Sequence, residues 1–149
     1  MTLFDLAQRF VGEIREQAGP IHHPFIQWSF TTCGYGLQTP DETPWCSSFL
    51  NGLCWLLRLP RSKSARARSW LTVGRPISLE DAQPGDVVVL KRGDGEQPGA
   101  DVLDAPGHTG LYAGTEGVHV LILGGNQSDG VTIGRWPRAL ILGIRRVTA

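Results

Sequence analysis

Apolar residues near the N-terminus recur at helical spacing. Leu3, Leu6, Phe10 and Ile14 form a stripe that Phe4, Ala7 and Val11 widen, while Asp5, Arg9, Glu13, Arg15 and Glu16 cover the other side. The pattern predicts a helix over Met1–Gln17, stopped by Gly19-Pro20. Residues 20–43 lose the period and gather aromatic and turn residues (Phe25, Trp28, Phe30, Gly34, Tyr35, Gly36, Pro40). They read as one long irregular segment, a length more often functional than idle. A second helix is expected to open with Thr43 as N-cap and Pro44 at the first helical position, where a missing N–H costs nothing. It runs through Trp45–Leu50, Leu53, Leu56 and Leu57 to Leu59-Pro60. A short third helix is expected over Ser64–Leu71, closed by Gly74 and Pro76.

From Gln83 onward the pattern turns to strands. Pro84-Gly85 is a turn, and Asp86–Leu90 reads as a buried strand. Residues 93–107 form a loop dense in Gly, Pro and Asp. Strands are then expected at Thr109–Gly114, Val118–Leu123, Val131–Arg135 and Ala139–Val147, joined by turns such as Thr115-Glu116-Gly117 and Ser128-Asp129-Gly130. Helices followed by an antiparallel meander of about five strands make an α+β plan, read as a single domain over residues 1–149.

Composition narrows the function classes. The chain has 149 residues, 41% of them apolar, enough for one ordinary core. Its 14 basic and 14 acidic side chains cancel, which argues against binding nucleic acid by bulk attraction. No run of 18 apolar residues is present, so no membrane span is expected. The N-terminus lacks the uninterrupted apolar stretch of an export signal, so synthesis in the cytoplasm as a soluble monomer is expected, with delivery left to another agent. Neutrality is not uniform: from Thr43 to Leu79 there is no acidic residue, yet Arg58, Arg61, Lys63, Arg66, Arg68 and Arg75 fall there. Such a run reads either as a solvated helix face or as a patch meeting carboxylates.

Three cysteines cannot form a complete disulfide framework, so at least one thiol is free. With Thr43 as N-cap, Cys46 falls at the third helical position. There, unpaired N–H groups and the positive end of the dipole would stabilise a thiolate and lower its pKa. The plain alternative is a small buried hydrophobe. Cys54, in an apolar helix, reads as core, and Cys33 as structural. A cysteine nucleophile needs a base and the base an orienting partner. His22-His23-Pro24 reads as surface, and His119 alternates within a strand. His108 closes the long loop and opens a strand, where a side chain can face a cleft. If that strand pairs with the next as a hairpin, its start lies beside Gly124-Gly125-Asn126-Gln127, which would bring the Asn126 amide to the His108 imidazole. No CxxC, HxxxH or HxxE spacing is present, so neither metal nor cofactor is expected.

The segments Asp41–Phe49, Ala67–Trp70, Pro84–Val89, Gly107–Gly114 and Leu123–Gln127 resemble, in order, a bacterial and phage branch of peptidoglycan-cleaving cysteine peptidases related to the NlpC and CHAP groups. The resemblance runs from about residue 20 to the C-terminus. It implies a papain-like fold, with Cys46 as nucleophile, His108 as base and Asn126 as orienting residue. Many NlpC-type members instead place a histidine about a dozen positions after the base. That position is Val120 here, with His119 beside it in reserve. The loop ahead of His108 looks longer than usual in the family. The implied reaction is hydrolysis of a peptidoglycan amide, by an endopeptidase or an N-acetylmuramoyl-L-alanine amidase. The Cys46 N–H and a donor from Tyr35 or Gln38 would hold the oxyanion, with Trp45 and Gln127 as further substrate-side candidates. Rival readings are a non-catalytic wall-binding module and a cysteine acyltransferase on the same scaffold. A wall hydrolase of this kind would be a phage-type lysin released through a membrane hole or a secreted antibacterial effector. The effector would have an immunity protein as partner.

Overall fold

The computed structural model describes residues 1–17, 22–41 and 43–149. Three α-helices come first: α1 (Leu3–Gln8), α2 (Pro24–Thr31) and α3 (Cys46–Leu57). Six strands follow: β1 (Arg75–Ile77), β2 (Val87–Lys91), β3 (Gly107–Glu116), β4 (His119–Gln127), β5 (Gly130–Pro137) and β6 (Ile141–Arg146). They form one antiparallel sheet in the order β1-β6-β2-β3-β4-β5. The α+β plan therefore holds, with six strands rather than five. The added strand is β1, three residues including Pro76 with no apolar alternation to mark it.

The helical segment departs further from expectation. Thr2 caps α1 by accepting from the Asp5 N–H, and the Asp5 carboxylate accepts from Thr2 in return. The helix nevertheless ends at Gln8, not Gln17. Gly12 lies at φ +77°, and Arg15 bridges to Gly130 at the edge of β5, so the second half of the apolar stripe is spent on turn and bridge. The expected stop at Gly19-Pro20 lies outside the described residues. Within the segment read as irregular, α2 forms with Pro24 at its first position and the His23 ring accepting from the Phe25 N–H. Ser69 and its neighbours form a 3-10 helix, Ala67–Thr72, in place of the expected Ser64–Leu71 helix.

Helix α3 is buried along its first nine residues, Cys46–Cys54, and lies against the sheet with Phe30, Trp70, Val87, Val89, Leu111 and Leu123 around it. Val88 and Leu90 face the other side of β2 and join Tyr112, Val120, Ile122 and Ile144 in a second cluster. Both faces of β2 are thus covered, which explains its unbroken apolar run. A buried polar network fastens α3 to the chain after it. Ser47 Oγ donates to the Ser64 carbonyl at 2.6 Å and accepts from Trp70 Nε1 at 2.9 Å, while Asn51 Oδ1 accepts from the Lys63 N–H at 2.7 Å.

The acid-free run of cations is not one solvated face. Arg68 is wholly buried, and Arg61 donates to the Thr32 carbonyl. No helix among the described residues is long and apolar enough to cross a membrane.

Candidate active site

Helix α3 begins at Cys46 itself. Trp45 is the N-cap and supplies no side-chain acceptor, so neither Thr43 nor Pro44 plays the part expected of it. Thr43 instead closes a turn on the Pro40 carbonyl. The two-residue shift places Cys46 at the first helical position, and the missing cap leaves the N–H groups of Cys46 and Ser47 to the sulfur, which both approach. A third N–H, from Thr109 of β3, also reaches it. Thr109 adjoins His108 on β3, but successive strand residues face opposite sides of the sheet: Thr109 lies opposite Val89 on the α3 side, whereas His108 lies opposite Leu90 and stacks on Trp136.

His108 is wholly buried, and its Nε2 lies 2.9 Å from Oε1 of Gln127. The Gln127 amide has one possible orientation. Its Nε2 donates to the carbonyls of Ile122 at 3.0 Å and Thr132 at 2.9 Å, which leaves Oε1 to accept from His108 and from the indole N–H of Trp136 at 3.0 Å. The His108 Nε2 must therefore carry the proton, and in the neutral ring Nδ1 carries a lone pair. That Nδ1 is buried without a hydrogen-bond partner. Trp136 also stacks on the imidazole, centroids 4.5 Å apart and planes 20° from parallel. Thiol and imidazole are not hydrogen-bonded to each other here. Such bonds often tighten only when substrate binds.

The orienting amide belongs to Gln127, not Asn126. The β4–β5 register slips between Gly124 and Gln127, and Asn126 takes a left-handed φ of +58°. This bulge turns the next side chain back along β4, where Gly134 gives it room: a Cβ there would stand 3.1 Å from the amide nitrogen. Gly125 packs on the other partner, since a Cβ on it would fall 2.4 Å from the Trp45 ring.

Burial pushes the Cys46 thiol above its ordinary value, against the opposing pull of its three N–H donors and of the Arg92 guanidinium. The lowered pKa expected from the helix terminus is thus overturned by desolvation. Burial also lowers the His108 pKa to about 4, with Arg92 adding to the fall and the Gln127 bond resisting it. The resting pair is neutral thiol and neutral imidazole. Cys54 is a core thiol, raised by burial to about 12, and Cys33 is half-buried beside Thr32.

Other candidates lie elsewhere. Tyr35 stacks flat on Phe30, and Gln38 folds against Gly36, so both are engaged in the turn after α2. Trp45 is core, its indole N–H donated to Glu16 at 2.7 Å. His119 pairs with Glu116 at the far end of the β3–β4 hairpin, about 25 Å along the strand from His108 at the usual rise. His22 and His23 serve Asp41, which also takes the N–H of Gln17 and stands a few residues ahead of α3. Burial alone would raise the Asp41 pKa, but these bonds hold it below the usual carboxylate range. Among the described residues, no group of three or more His, Cys, Asp or Glu gathers as a metal would require.

Sequence reasoning missed Arg68. Its Nε donates to the Pro106 carbonyl at 3.0 Å, and one terminal nitrogen reaches the carbonyls of Gly99 at 2.7 Å and Val102 at 3.0 Å. A buried guanidinium thereby ties down the long loop that ends at His108. Among the described residues no carboxylate pairs with it.

No protein-family model matches the chain, and neither does any curated protein.

Proposed function

We propose that the protein is a papain-like cysteine hydrolase that cuts an amide bond of the peptidoglycan peptide stem. The observation that supports this reading is the Gln127–His108 arrangement: a fixed amide holds the proton on Nε2 and leaves Nδ1 without a hydrogen-bond partner, one residue along β3 from Thr109, whose N–H pulls the Cys46 thiol pKa down. The peptidoglycan substrate rests on the resemblance of the segments around these residues, and the amide chemistry on their side chains.

In the proposed reaction the Cys46 proton passes to His108 Nδ1 as sulfur bonds to the carbonyl carbon. The oxyanion takes the Cys46 N–H, at the positive end of α3. The C–N bond then breaks as Nδ1 returns the proton to the leaving amine. Water, deprotonated by Nδ1, displaces the acid product and restores the thiol. With both resting groups neutral, attack and proton transfer are coupled, and no stored thiolate is needed. The protein would act at the cell wall after release through a membrane hole or by a secretion apparatus, as a lysin or an antibacterial effector.

Purified peptidoglycan incubated with the protein should release soluble fragments, whose masses identify the bond cut. Cys46→Ala and His108→Ala should release none. Undiminished release by Cys46→Ala would overturn the reading.

One observation favours a second reading. Cys46 is only 4% exposed, and its thiol is raised rather than lowered, as in a wall-binding module with an inert cleft. Such a module would bind peptidoglycan, release nothing and resist thiol reagents.

A further inference from the structure

Two clefts are lined by residues that flank the buried thiol and imidazole, and one side chain lines both. The first, about 410 Å³, is walled by Pro44, two residues before Cys46, by Gly107, which precedes His108, and by Arg66 and Asp104. The second, about 340 Å³, is walled by Trp136, the ring stacked on His108, and by Glu96. Arg92 stands where they meet. It leaves the sheet one residue after Lys91, which faces Gly107 across the β2–β3 ladder, so its backbone lies close to the chain that enters His108. It is exposed and makes no ion pair among the described residues. Its charge is nevertheless felt at both Cys46 and His108.

A guanidinium presents a planar fork of donors that matches a carboxylate bidentately. In the first cleft Arg92 and Arg66 face the single acid Asp104, so positive charge is in excess there. The reacting pair is itself neutral at rest and does not repel an anion. We infer that Arg92, with Arg66 on the same cleft, forms a carboxylate subsite that holds an acidic group of the substrate next to the scissile carbonyl. This rests on Cys46 being the nucleophile of an amide hydrolase, as proposed above. It adds that the peptide cut carries a free carboxylate within reach of Arg92, so that the same peptide amidated at that position is a poor substrate.

Two alkylating reagents test the subsite without the natural substrate. Iodoacetate and iodoacetamide react alike with a thiolate, carbon–sulfur bond formation expelling iodide, but only the first carries a carboxylate. An unassisted thiol prefers the neutral reagent. Rates are read at Cys46 by peptide mass spectrometry, which separates it from Cys33 and Cys54. The wild-type protein should favour iodoacetate, and Arg92→Gln should lower the iodoacetate-to-iodoacetamide ratio about tenfold, the scale of local anion enrichment by a cleft charge. Arg92→Lys should fall between, Asp104→Asn should raise the ratio, and added salt should erode it. A ratio unchanged in Arg92→Gln overturns the subsite, as does failure of both reagents to reach Cys46. Fragment release from peptidoglycan is measured alongside. Release that persists with an unchanged ratio sinks the subsite alone, whereas absent release sinks the hydrolase reading. In peptidoglycan whose carboxylates have been converted to amides with carbodiimide and ammonia, wild-type release should drop to the Arg92→Gln level, and Arg92→Gln should lose little more. Equal losses by Arg92→Gln on both forms of the wall would also overturn it.

Discussion

The amide oxygen of Gln127 lies 2.9 Å from Nε2 of His108, and every other polar atom of that amide is already committed. An imidazole held at one nitrogen by an acceptor that cannot rotate has its tautomer chosen for it. The other nitrogen is then the one that can take a proton.

Gln127→Ala should therefore lower kcat about 100-fold, the cost of a misplaced base, with folding retained. Gln127→Glu separates orientation from charge. The carboxylate would still accept from Nε2 but would stabilise the imidazolium, moving the acid limb of kcat/KM upward. Asn126→Ala should cost about 1 kcal/mol through its left-handed backbone and leave kcat unaltered. Steady-state kinetics on all three variants decide which amide orients the base. A collapse in Asn126→Ala alone would reverse the assignment.

The pH profile follows from the burial of His108. Its pKa in the folded protein, about 4, lies below the 6.5 expected unfolded, so between these values the unfolded chain binds the extra proton. His108 thus contributes its full stability above pH 6.5 and loses it as pH falls toward 4, about 3 kcal/mol in all. Urea unfolding across this range should show the wild-type protein losing more than His108→Gln by that amount. The free-enzyme rate kcat/KM should keep its neutral-pH value down to an acid limb near pH 4. An acid limb at 6.5 would mean an imidazole open to water.

Arg68→Met should destabilise the fold by about 3 kcal/mol, because three loop carbonyls lose a buried partner at once. Arg68→Lys should recover part of that, since an ammonium cannot span the three positions as the guanidinium does. The urea midpoint reads the effect. A change within experimental error for Arg68→Met would show that the loop holds itself.

Gly125→Ala should cost about 1–3 kcal/mol by forcing a Cβ into the Trp45 ring. Because Trp45 caps α3, the same change should also displace Cys46. A variant with wild-type stability and turnover would count against this contact as a support of the site.

Much of the arrangement around His108 could be read from the chain because it follows from alternation and pairing. Gly107-His108 before a strand, and the glycine pair at the end of the next, had to meet once β3 and β4 formed a hairpin. Alternation alone pointed to Asn126, and a left-handed residue with a register slip moved the role to Gln127. Local sequence also favoured Thr43 as a cap, but packing of Trp45 against Phe49 and Gly125 started the helix two residues later. Arg68 stood in a run of cations whose ordinary place is solvent, and nothing in its spacing marked it for burial. Desolvation, which reverses the expected behaviour of Cys46, depends on the finished fold and has no signature along the chain.

The donors and acceptors at Cys46 have a consequence in time. The thiol is on the third helix, whereas the imidazole, its amide and the indole that covers it lie on β3, β4 and β5. A chain emerging from the ribosome, or threaded unfolded through a secretion channel, carries an unarmed cysteine until its last strands have docked. If the proposed hydrolase reading holds, completion of folding is then the activating event.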